Sequence, residues 1–269
     1  MAMSRLLKDI VVKGLRARGY DIISVAALNS LQAKSAELDN CRLTPRDYNF
    51  IRAFPGQSAG RMLDYLLKSK SQLRQDLFAL NELDFKRGGY FVEFGATNGV
   101  SLSNTHLMEK EFGWSGILAE PARCWHDDLR QARTASIETR CVWSKSREIL
   151  NFCEVSNAEL STVNQFVDVD QQSETRRNRH SYNVETISLN DLLEEFKSPT
   201  DIDYLSIDTE GSEYQILVAF DFRKYRFKVI TVEHNYTQMR EKIKVLLEGF
   251  GYRRKFEGLS LFDDWYVLP

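Results

Sequence analysis

The chain has 269 residues with 36 basic and 38 acidic side chains, a formal net charge of −2 that supplies no global field for nucleic acid or an anionic membrane. At 43% hydrophobic and 28% charged, with 5 prolines and 14 glycines, the composition excludes disordered and fibrous classes and fits one large α/β domain with an N-terminal extension. Cys41, Cys124, Cys141 and Cys153 form no C-x-x-C pair, which argues against a disulfide framework or structural zinc and fits reduced thiols in a cytoplasm.

In chain order, the opening segment "MAMSRLLKDIVVKGLRARGYDII" is interrupted by Lys8, Asp9, Lys13, Arg16 and Arg18, so neither a spanning helix nor an ordinary signal peptide is expected. Leu6, Leu7, Ile10, Val11 and Leu15 suit one helical face, packed on the rest of the chain, on a second copy in a homodimer, or on a membrane surface. Residues 1–85 read as a helical extension, with a helix start at Thr44 and Pro45. From Gly89 the pattern changes to short β-branched and aromatic runs alternating with amphipathic segments, the signature of a parallel sheet with crossover helices over 86–269. Strands are expected at 90–95, 116–120, 137–143, 202–208 and 227–234, and helices at 102–112, 122–132, 213–220 and 237–249. An insertion at about 144–200 adds strands at "EILNFCEV" and "NVETISL" around a polar stretch of no period. The ending "GYRRKFEGLSLFDDWYVLP" reads as two antiparallel strands joined by a turn at Gly258.

The first strand runs "YFVEFGATNG", rising to Glu93 and breaking at Gly95 and Gly99. In an open parallel sheet such a loop lies at the ligand crevice, where glycine permits a sharp turn and close approach to an adenosine-type cofactor. The G-x-G-x-x-G fingerprint of NAD enzymes is missing. A pyrophosphate beside Glu93 would meet a like charge at a cost on the order of a few kcal/mol, whereas the sulfonium and ammonium of S-adenosylmethionine would be attracted. Glu120, at the end of the next strand, can accept both ribose hydroxyls.

The stretches "FVEFGATNGVSLSNTHLMEKEFGWSGILAEPA" and "IDYLSIDTEGSEYQIL", with "SQLRQDLFAL" upstream, resemble the FkbM-type S-adenosylmethionine-dependent methyltransferases from roughly Ser71 to Pro269. The resemblance implies a class I methyltransferase fold, a mostly parallel seven-stranded sheet with helices on both faces, and O-methyltransferase activity. It implies that Glu93, Gly95, Ala96, Thr97, Asn98 and Gly99 form the cofactor loop and that Glu120, followed by Pro121, holds the ribose. Ser103 and Asn104 would lie near the methionine part, Val142 and Trp143 against the adenine, and Asp208 facing the transferred methyl.

Transfer to a hydroxyl needs alignment of the acceptor and a base. His234 is the preferred base, with Asp208 or Glu210 as orienter; Asp208, Glu210, Glu213 and His234 are also a less favoured candidate set for a divalent cation. Arg176, Arg177 and Arg179 suggest an anion clamp for a phosphorylated or acidic acceptor, and Tyr236 a sugar-stacking surface. The expected acceptor is a small molecule or glycan, a saccharide, glycan precursor or secondary metabolite, rather than nucleic acid. An NAD-dependent oxidoreductase and a non-catalytic S-adenosylmethionine-binding module remain as alternatives.

Overall fold

The computed structural model describes residues 43–155, 161–163 and 179–269. The chain forms two units, 1–48 and 49–269. In the described end of the first, Thr44 N and Oγ1 donate to Asp47 Oδ2 at 2.9 Å while Asp47 N donates to Thr44 Oγ1 at 3.1 Å. This reciprocal cap starts the helix where Thr44 and Pro45 predict it.

Among the described residues, three helices precede the sheet: α1 (Pro45–Arg52), α2 (Gly56–Leu63) and α3 (Gln75–Glu82). Then follow β1 (Tyr90–Phe94), α4 (His106–Phe112), β2 (Ser115–Ala119), α5 (His126–Ala132), β3 (Ser136–Glu138) and β4 (Cys141–Trp143). The inserted region contributes β5 (Ile149–Val155), β6 (Thr162–Val163) and β7 (Arg179–Ser188). The chain closes with α6 (Leu189–Glu195), β8 (Asp201–Ile207), α7 (Glu213–Val218), β9 (Arg226–Glu233), α8 (Met239–Gly249), β10 (Arg253–Lys255), α9 (Glu257–Ser260) and β11 (Asp263–Val267).

The main sheet has seven strands in the order β3-β2-β1-β8-β9-β11-β10, parallel except that β11 runs antiparallel to both β9 and β10. That is the sheet of a class I methyltransferase. Strand order reverses between β1 and β8, so their C-terminal ends splay a crevice at the switch point. Apolar side chains cover both faces, as a sheet between helical layers requires. Val92, Phe94, Ile207, Ile230 and Val232 face α6, α7 and α8, whereas Phe91, Leu118, Tyr204 and Val229 face Phe78, Leu107 and Trp265. The second sheet, β4-β7-β5-β6, is built mainly from the insertion.

Several expected elements are corrected. The run 137–143 is not one strand: β3 pairs with β2 in the main sheet and β4 with β7 in the other. Arg140 marks the break, with its N–H and Nε on Glu138 Oε1 and Nη2 on Glu195. The helix expected from Leu102 begins at His106, because Leu102 has φ +59° and the Ser103 hydroxyl accepts from the His106 N–H at 3.1 Å. Gly258 is not a hairpin turn; it lies within α9, although β10 and β11 do pair antiparallel at the sheet edge. No helix among the described residues is long and apolar enough to cross a membrane.

Candidate active site

A cleft of about 250 Å³ opens at the C-terminal ends of β1, β2, β8 and β9, with Val142, Phe152 and Val163 of the second sheet forming one wall. Among the cofactor residues named from sequence, Glu93, Gly95, Thr97, Asn104, Glu120, Pro121, Val142 and Asp208 line it. Ala96, Asn98, Gly99, Ser103 and Trp143 do not, because each has another place in the fold.

The loop after β1 takes a shape only glycine tolerates at two points. Gly95 has φ +74°, and a Cβ there would stand 2.0 Å from the Asp208 carbonyl oxygen. Gly99, at φ +76°, would drive a Cβ to 2.6 Å from both Leu129 and Arg133 side chains. Between them Ala96 is buried, Thr97 donates its N–H to Glu120 Oε2 at 2.8 Å, and Asn98 Oδ1 accepts from the N–H groups of Val100 and Ser101 at 2.9 Å. Trp143 turns into the apolar cluster of the second sheet with Phe152 and Val184, so of the two residues expected against the adenine only Val142 lines the cleft, with Phe152 beside it.

Glu93 lines the cleft, but its carboxylate is occupied from behind. Oε1 accepts from Asn104 N at 2.7 Å, and Oε2 from the Ser103 hydroxyl at 3.0 Å and from the Thr105 hydroxyl. Arg133 Nη1 lies 3.9 Å from Oε2, and the same guanidinium holds Glu109 at 2.8 Å and the Gly99 carbonyl at 2.9 Å. Glu93 is therefore a fastener of the cofactor loop whose charge a buried arginine matches, and not the exposed charge expected from sequence. Arg133 itself was invisible to sequence reasoning, since its partners lie 24 to 40 residues upstream and no spacing signals them. Burial works against ionisation of Glu109, yet the Thr134 N–H, Arg133 and Lys110 hold its pKa down at about 2.

Glu120 is nearly fully buried, with Oε1 accepting from Ala122 N at 2.7 Å. Burial, with Asp208 and Glu154 nearby, pushes its carboxyl up to about 7 against those two backbone donors.

At the far side, Asp208, Glu210 and Glu233 converge, one carboxylate oxygen from each lying within 4.8 Å of the others. Burial and then the charges of Asp208, Glu210 and Glu213 raise the Glu233 carboxyl well above the usual range. Glu213 stands apart from this trio: it accepts from Thr209 N, Thr209 Oγ1 and Gly211 N at 2.9 to 3.0 Å and shapes the loop that carries Glu210.

His234 is not brought into the cleft. Ile230 and Val232 point to the α6–α8 core, and strand alternation sends His234 to that same face, while Glu233 takes the cleft side. The His234 Nδ1 accepts from Tyr236 N at 3.0 Å, and Nε2 lies 3.7 Å from Asp264 Oδ1. Burial lowers its pKa. Of the two neighbours at the end of β9, Glu233 lines the cleft and His234 does not; the signal for Glu233 was the alternation itself. Tyr236 is 61% exposed and outside the lining, where Asn235 is found instead. Arg176 and Arg177 fall outside the described residues, and Arg179 opens β7 opposite Val155.

The lining thus holds five carboxylates, Glu93, Glu120, Asp208, Glu210 and Glu233, and no lysine, arginine or histidine among the described residues.

Comparison with known proteins gives one family: the Methyltransferase FkbM domain profile matches residues 93–255. No curated protein matches the chain. Among solved structures, the precorrin-6y C5,15-methyltransferase of Geobacter metallireducens GS-15 is similar at 12% identity with a TM-score of 0.39, covering 71% of this chain and 84% of that one. The fibrillarin/Nop5p complex is similar at 10% identity with a TM-score of 0.34, covering 70% and 78%. The profile spans the glycine loop, Glu120, the Asp208 loop and β9, the elements that build the cleft, and the chain belongs to the FkbM methyltransferase family.

Proposed function

We propose that the protein transfers the methyl group of S-adenosylmethionine to a hydroxyl of a saccharide, a glycan precursor or a secondary metabolite. The observation that carries this reading is the acidic character of the lining: besides Glu93, which Arg133 matches from behind, it holds four further carboxylates and no basic side chain among the described residues. A dinucleotide would set its diphosphate against that wall, with repulsion on the order of several kcal/mol in a partly desolvated cleft. A sulfonium with an ammonium reverses the sign.

In this reading Glu120 accepts the ribose hydroxyls, Val142 and Phe152 sandwich the adenine, and Gly95 and Thr97 bring backbone against the donor. The acceptor enters beside Asp208 and Glu233, which end neighbouring central strands where its hydroxyl must give up a proton. The donor is already activated, so alignment of acceptor oxygen, methyl carbon and sulfur supplies most of the catalysis, up to about 7 to 11 kcal/mol. A lining with carboxylates and no nitrogen base among the described residues is compatible with an acceptor whose hydroxyl is activated by carboxylates.

The test is a thermal-shift and calorimetric comparison of S-adenosylhomocysteine with NAD. Saturable stabilisation by S-adenosylhomocysteine alone is expected, rising with RT ln(1 + [L]/Kd). Stabilisation by NAD in its place, or heat with neither, would refute the assignment.

A further inference from the structure

Three carboxylates converge at one corner of the cleft. Asp208 follows β8, Glu210 lies in the next loop and Glu233 ends β9, so three separate segments aim one oxygen each at a common point. A hard cation with bonds of roughly 2.1 to 2.4 Å places its ligand oxygens at most about 4.2 to 4.8 Å apart. The three oxygens lie within 4.8 Å of one another, close enough to share an ion at the upper end of that range. Independently, Glu233 is only 9% exposed and its Oε2 has no hydrogen-bond partner among the described residues, although the side chain lines the cleft. A buried carboxylate oxygen left unpaired costs about 1 to 3 kcal/mol or more, and a ligand at that atom removes the cost.

The donor set also indicates the kind of ligand. With His234 on the other face of β9, the trio is all oxygen, which favours magnesium, manganese or calcium over zinc or copper.

We propose that Asp208, Glu210 and Glu233 bind one divalent, oxygen-preferring cation whose open coordination positions face the cleft and hold the acceptor hydroxyl. The inference rests on the methyltransferase reading above. The bound hydroxyl loses its proton to water in the open cleft, its oxygen forms a bond to the methyl carbon, and the carbon–sulfur bond breaks with its electron pair passing to sulfur. The cation polarises the oxygen and is unchanged.

The test uses Mn²⁺ as probe on the full chain, free ion being followed by electron paramagnetic resonance with and without S-adenosylhomocysteine. A single saturable site is expected, weakened at least roughly tenfold in Glu233→Gln and in Asp208→Asn and unchanged in Asp127→Asn, a surface carboxylate outside the cleft. Each variant is checked for a retained thermal shift with S-adenosylhomocysteine, and Glu210→Gln replaces any that fails to fold. No saturable Mn²⁺ binding, or binding unaltered in the trio variants, overturns the proposal. If S-adenosylhomocysteine still stabilises the protein in that case, the methyltransferase reading stands without the cation; if it does not, that reading fails separately.

Discussion

Gly95 and Glu120 are where single residues decide whether the cleft exists. A Cβ at Gly95 would overlap the Asp208 carbonyl, pushing apart the two strand ends that form the crevice. Gly95→Ala is expected to cost more than about 1 kcal/mol of stability and to abolish binding of S-adenosylhomocysteine, read by denaturant unfolding and calorimetry. Glu120 carries a pH signature. Its carboxyl holds a proton up to about 7 in the empty cleft, and ribose hydroxyls donate to the ionised form, so binding below that pH must release a proton. Affinity should therefore weaken by up to about tenfold per pH unit as pH falls below 7. In Glu120→Gln that slope should flatten, and a wild-type profile that is flat from pH 5.5 to 8 would remove Glu120 from the ribose site.

At the scale of elements, β9 shows how one residue of phase changes a mechanism. Histidine at the strand end is the more familiar base, yet alternation assigns it to the α8 side with Asp264 and gives the cleft to Glu233. His234→Gln should retain turnover within about threefold, whereas Glu233→Gln should lose at least about a hundredfold with donor affinity preserved. The reverse result in steady-state kinetics would support His234 as the base. The loop after β1 is likewise held by an element that sequence did not connect to it: Arg133, just beyond α5, joins Glu93, Glu109 and Gly99 with no solvent exposure of its side chain. Arg133→Met strands two buried carboxylates and should cost about 3 to 5 kcal/mol, measured by denaturant unfolding.

Across the unit 49–269, the helices before the sheet and the last strand depend on each other. Phe78 of α3 stacks on Trp265 of β11 with ring centroids 4.7 Å apart, Phe50 meets the same indole edge-on at 6.2 Å, and Gln75 Nε2 donates to Asp263 at 2.9 Å. Gln75 Oε1 also accepts from the Ser71 hydroxyl, which reaches Asn104 beside Glu93. A polar chain thus runs from the C-terminal strand through the lead-in segment to the cofactor loop. Trp265→Ala should cost about 3 to 5 kcal/mol and lower the single unfolding midpoint of this unit, followed together by far-ultraviolet dichroism and tryptophan fluorescence. Separate transitions by the two probes would show the helices and sheet to be independent.

The sequence by itself determined the parallel sheet, the antiparallel edge, the glycine loop and the acid at the end of β2, because these follow from local periodicity, glycine at positive φ and motif spacing. Tertiary structure alone decided which carboxylates share the cleft, which one is neutralised by Arg133, and that the second sheet supplies one wall of the cleft. Those facts depend on pairing between segments tens of residues apart, and a one-residue change of face carries no mark in the linear pattern when, as at Glu233 and His234, both neighbours are buried and both can ionise.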